Sequence, residues 1–121
     1  MFKDQCTACH QDNAQGVEDA FPPLAHNADL FLNRDYPVRV LLFGLSGKID
    51  VNGKSFDSAM PPLDVLSDEQ IAAVVNYVRD NFGNAELRPK TMAPLDAAAV
   101  AAERKRKMAA EAVFDYRKSL K

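Results

Sequence analysis

Apolar residues recur at helical spacing most clearly between Ser67 and Gly83. Ile71, Val74, Val75 and Val78 form one stripe, with Tyr77 beside it. Directly before the stripe stands Ser67-Asp68-Glu69-Gln70. Ser67 with Gln70 three residues on is a capping box, and Asp68 and Glu69 suit the positive end of a helix dipole. The pattern predicts a helix that starts at this box and stops at Gly83.

The other apolar segments are shorter. Val38, Val40, Leu41, Leu42 and Phe43 read equally as a buried helix turn or a strand. Pro37 is well placed to begin a helix there, and Gly44 to end it. Ile49 and Val51 alternate with polar residues, and Asn52-Gly53 is a type I′ turn signal, so a two-stranded hairpin is expected. Two proline pairs, in Phe21-Pro22-Pro23-Leu24 and Met60-Pro61-Pro62-Leu63, forbid helix or central strand and predict stiff loops. Residues 1–12 read as the end of a helix, with Phe2 on the face of Cys6; residues 11–20 are polar and read as loop. Beyond residue 84 the periodicity lapses. Residues 85–95 form a linker, and Asp96 caps an alanine-rich helix expected from Ala97 to about Leu120, with a weak stripe at Ala109, Val113, Tyr116 and Leu120. The expected organisation is a body over 1–84, the linker, and a helical tail over 96–121.

Charge sharpens this division. Residues 1–84 carry 6 Lys+Arg against 12 Asp+Glu, a net of −6, whereas residues 85–121 carry 9 against 5, a net of +4. An acidic body with a basic tail points to electrostatic docking between proteins, not to nucleic acid. No apolar run approaches the ~20 residues that cross a bilayer.

The chain has two cysteines, both in Cys6-Thr7-Ala8-Cys9-His10. C-x-x-C-H is the pattern of covalent c-type haem attachment. Two thiols on one side of a helical turn reach the two vinyl groups of a porphyrin, and the adjacent imidazole reaches the iron. A zinc half-site and a redox dithiol are the competing readings. Zinc needs about four ligands, which Cys6, Cys9, His10 and His26 would nominally supply. A thioredoxin-like dithiol needs a βαβ context, which is missing. An iron-bound imidazole also needs an acceptor for its other N–H, and a proline-stiffened loop presents a backbone carbonyl without moving.

A haem iron with one His ligand takes a sixth ligand, and Met raises the potential. Met1 is terminal, and Met92 and Met108 follow the last helix of the body. Met60 sits in the proline-stiffened loop, where a weak thioether ligand loses little freedom on binding. Met60 is therefore the expected ligand, with His26 its rival.

In this order, Cys6-x-x-Cys9-His10, Phe21-Pro22-Pro23-Leu24, Met60-Pro61, Leu66-Ser67-Asp68-Glu69-Gln70-Ile71 and Asn76-Tyr77-Val78-Arg79 resemble a class I cytochrome c over residues 1–84. The resemblance is to the small bacterial monohaem kind. It implies an all-α fold: about four short helices around one haem, here with a small β-hairpin and a C-terminal helical extension. It implies that Pro22 supplies the carbonyl for His10, that Leu24 packs on the ring, and that Tyr77 packs against the N-terminal helix near Phe2. Two departures stand out. The family's first helix begins several residues further upstream, and its minimal pattern has no counterpart of residues 85–121.

The expected function is single-electron transfer by one haem c, covalent through Cys6 and Cys9, with His10 and Met60 on the iron, and without enzymatic activity of its own. The alternative is an electron-transfer subunit or excised domain of a larger periplasmic oxidoreductase: a dehydrogenase, a reductase or a terminal oxidase. Redox proteins are the expected partners, with a catalytic subunit touched by the tail 96–121. Haem attachment of this type implies the periplasm or the outer face of an energy-transducing membrane. Met1 lies too close to Cys6 for an export signal to intervene, so the sequence is expected to be a mature or truncated segment.

Overall fold

A computed structural model describes residues 6, 10, 14–17, 22–51, 53–57, 59–90 and 92–120. Phe2, Cys9 and Phe21 lie outside the described residues, as does most of the expected N-terminal helix. The two described residues of that segment carry a helical hydrogen bond, from the His10 N–H to the Cys6 carbonyl at 2.9 Å.

Helix α1 (Tyr36–Phe43) touches each of the three helices described after it. That position resolves the ambiguity of its sequence. Tyr36, Val38, Leu41 and Leu42 are all buried, because a helix packed on several sides has apolar residues all round. Pro37 lies in its first turn, where no partner for its missing N–H is needed. Gly44 ends it with φ 81°, and its N–H returns to the Val40 carbonyl at 2.8 Å. A short 3-10 turn (Ala28–Phe31) precedes α1.

The hairpin forms as expected. Strands β1 (Ile49–Val51) and β2 (Lys54–Phe56) pair antiparallel, with Ile49 opposite Phe56 and Val51 opposite Lys54. Ile49, Val51 and Phe56 point into the core, as the period of two requires.

Helix α2 (Asp68–Asp80) begins at the capping box, with both reciprocal hydrogen bonds made: Ser67 Oγ from the Gln70 N–H at 3.1 Å, and Gln70 Oε1 from the Ser67 N–H at 2.9 Å. Its stripe of Ile71, Val74, Val75 and Val78 is buried, each side chain contributing about 1.5–3 kcal/mol. The helix stops at Asp80, three residues before Gly83. Asn81 is already extended, and Phe82 and Gly83 are both left-handed. Arg79, on the same helix, is buried because its guanidinium gathers the carbonyls of Leu30, Asn33 and Arg34 at 2.8–3.2 Å.

The tail departs from expectation. It is two helices, α3 (Ala97–Arg104) and α4 (Ala110–Ser119), broken where Lys107 turns left-handed at φ 50°. A continuous helix over this length would run ~36 Å, longer than a small domain is wide. The break folds both halves onto the body: α3 against α2 and α1, and α4 against α1. Val100 and Val113 are fully buried in the resulting seams. Ion pairs fasten α3, Arg104 to Asp68 at 2.8 Å and Arg39 to Glu103 at 2.5 Å. No helix among the described residues is long and apolar enough to cross a membrane.

Candidate haem site

The core divides into two clusters. One gathers Cys6, Leu30, Leu41 and the α2 stripe; the other gathers Tyr36, the hairpin residues and Val113. Between them opens a cavity of about 1090 Å³, counting the space open to solvent. Cys6, His10, Pro22, Leu24 and Met60 all line it.

His10 is held by the chain that follows it. Its carbonyl accepts from the Gly16 N–H at 2.9 Å, and the Ala14 carbonyl accepts from the N–H groups of Leu24 and Ala25 at 2.8 and 2.9 Å. The chain thus doubles back and brings Pro22 behind the imidazole. His10 Nδ1 lies 2.8 Å from the Pro22 carbonyl oxygen. A carbonyl only accepts, so Nδ1 carries the proton and Nε2 keeps its lone pair. Burial lowers the pKa of His10, with the Pro22 hydrogen bond acting in the opposite sense. The net effect favours the neutral imidazole, the form that binds a metal.

Met60 is fixed through its backbone. It forms an isolated antiparallel bridge with Leu45, with hydrogen bonds of 2.8 and 3.0 Å in the two directions. Three residues on, the Leu63 N–H donates to the Leu41 carbonyl at 2.7 Å. The loop is therefore tied to the end of α1 on both sides of Pro61-Pro62. Met60 packs against both core clusters.

The rival ligands lie elsewhere. His26 is exposed, with Nδ1 3.3 Å from the Gly83 carbonyl oxygen, and does not line the cavity. Met108 packs beside Arg39, whose Nη1 is 3.8 Å from its sulfur. Tyr77 is half exposed and meets Phe82 edge to face at 5.8 Å.

The cavity also holds residues that no sequence pattern singles out. Asn27, Asp29 and Tyr36 are among its polar lining. Behind it, the fully buried Asn84 side chain accepts from the Asn27 N–H at 2.9 Å and donates to the carbonyls of Leu24 and Val78, both at 2.8 Å. It clips the loop behind His10 to the end of α2. No spacing rule links Asn84 to Leu24, sixty positions away.

This donor set fits an iron porphyrin. A sulfur, an imidazole with one nitrogen uncommitted and a thioether share one wall system of Leu, Val, Ile and Phe. Among the described residues no group of three or more His, Cys, Asp and Glu forms a metal cluster of the zinc kind.

Comparison with known proteins agrees. The family model for cytochrome c matches residues 1–81. The chain is 40% identical over 120 residues to cytochrome c-552 of Thermus thermophilus, spanning 96% of this chain and 91% of that protein. A second cytochrome c-552 of the same species also matches at 40% identity, over 96% of this chain and 80% of that protein. Coverage of 96% takes in most of residues 85–121, so most of the tail has a counterpart in these relatives although the minimal family pattern lacks one. The fructose dehydrogenase cytochrome subunit of Gluconobacter japonicus is 32% identical over 91 residues, which is 71% of this chain but 18% of that protein. The motif, the cavity and these matches converge: the chain belongs to the cytochrome c family.

Proposed function

We propose that the chain carries one haem c, attached through Cys6 and Cys9, with His10 and Met60 as the axial ligands. As a cytochrome c it transfers single electrons and is a carrier, not a catalyst. Haem c, when bound, supplies a one-electron Fe(III)/Fe(II) couple. The protein's part is to hold the ligands still and keep water out. The Pro22 carbonyl orients His10, Leu24 and the α2 stripe supply apolar wall, and the doubly tied Met60 loop limits rearrangement between oxidation states. The observation that carries this reading is the His10–Pro22 hydrogen bond on the cavity that Met60 also lines. A pyridine haemochrome spectrum tests the attachment. Two saturated vinyl groups are expected; a spectrum of unattached haem would refute it.

The periplasm, or the outer face of an energy-transducing membrane, is the expected compartment. Redox proteins are the expected partners. A second reading, as the electron-transfer part of a larger oxidoreductase, draws on the similarity to dehydrogenase cytochrome subunits. In that reading the exposed Lys105 and Lys107 of the tail would meet an acidic face of a catalytic subunit. Copurification with such a subunit, lost when both lysines become glutamate, would support it; a chain that stays monomeric in native lysate would count against it.

A further inference from the structure

The tail meets a polar part of the cavity wall through Arg117. Arg117 of α4 donates to Asp29 Oδ2 through Nε at 3.2 Å and Nη2 at 2.8 Å, and Nη2 also donates to the Asp50 carbonyl at 2.9 Å. Both partners are buried, with side chains 7% and 12% exposed. Asp29 lines the cavity, and so does Tyr36, which feels the charge of both Arg117 and Asp29. Burial raises the Tyr36 pKa far above its usual range, so this phenol stays neutral. Among the described residues, this point joins the Asp29 carboxylate of the 3-10 turn to the Arg117 guanidinium of α4, eighty-eight residues apart.

Charges out of water interact strongly, because the effective dielectric is ~20 or below instead of 80. Negative charge on this wall opposes the arrival of an electron in the cavity, and positive charge beside it favours it. We propose that Arg117 is a positioning residue for electron transfer: it keeps Asp29 charge-compensated at the cavity wall, so that the C-terminal tail sets the reduction potential of the site. This rests on the cavity being the haem site. It gives the tail a role inside the redox centre, independent of any partner.

The test is spectroelectrochemical titration of the haem-loaded full chain at one pH, with the near-infrared band checked in each variant to exclude ligand loss. Arg117→Gln is expected to shift the potential downward, and Arg117→Lys, which keeps the charge, to restore most of the loss. Asp29→Asn is expected to shift it upward, and the double variant to return near wild type. A merely structural pair would lower the potential in every variant, because loosened packing admits water. A fall in Asp29→Asn, or equal falls in Arg117→Gln and Arg117→Lys, would overturn the proposal. Should Asp29→Asn fail to assemble, the two Arg117 variants decide alone. Absence of covalent haem in the wild type would instead refute the site itself.

Discussion

Gly44 and Met60 approach backbone to backbone: a Cβ on Gly44 would lie 2.6 Å from the Met60 carbonyl oxygen and 3.2 Å from the Pro62 nitrogen. The glycine does two things there. It takes the left-handed φ of 81° that ends α1, and it leaves space for the loop that carries the expected sixth ligand. Gly53 in the hairpin has the same φ of 81°, but a Cβ there would meet nothing within 4 Å. The two sites therefore separate backbone strain from displacement of the Met60 loop.

Gly44→Ala should weaken the iron–sulfur bond and lower stability beyond the ~1–2 kcal/mol of a left-handed residue. Gly53→Ala should cost only that strain and leave the spectrum alone. Urea unfolding with near-infrared spectra of both variants checks this; equal effects on the spectrum would contradict it.

Asn84→Ala should destabilise by about 2–4 kcal/mol. It removes the acceptor of the buried Asn27 N–H and a donor from the carbonyls of Leu24 and Val78, and unmade buried bonds cost ~1–3 kcal/mol each before relaxation. The loop behind His10 should loosen in the same variant, seen as faster amide exchange at Asn27. A change under about 0.5 kcal/mol, the scatter of surface substitutions, would show that the clip is dispensable.

Glu103→Ala should cost about 3–5 kcal/mol. It strands Arg39, which is buried against Glu103 at 2.5 Å and stacked 3.8 Å over the Tyr116 ring. Removing a capping residue is milder: Ser67→Ala should cost ~1 kcal/mol. Chemical denaturation of the two variants side by side tests the ranking, and a larger loss at Ser67 would reverse the account of what fastens the tail.

Features written in neighbouring residues are legible in the sequence. The capping box and the pairing of the two hairpin strands depend on residues a few positions apart, and both form; the stiffness of the proline pairs is written in the prolines themselves. The α1 segment is ambiguous because its burial on several sides removes periodicity. The tail reads as one helix and folds as two. Alanine-rich sequence favours helix, whereas the structure breaks after Arg104, turns left-handed at Lys107 and packs the two halves on the body. Asn84, Glu103 and Arg117 are hidden for the same reason. Their partners lie 60, 64 and 88 positions away, and nothing local marks them. Within the site, chemistry picks out His10 and Met60. It does not pick out Asp29, whose importance comes from the wall it occupies.

His10 and Met60 are proposed to hold one covalent haem. The most direct measurement is the near-infrared spectrum of the oxidised, haem-loaded protein beside that of Met60→Ala. The wild type should display a sulfur-to-iron band that the variant lacks, with a lower potential in the variant. An identical band in both proteins would contradict the ligand assignment.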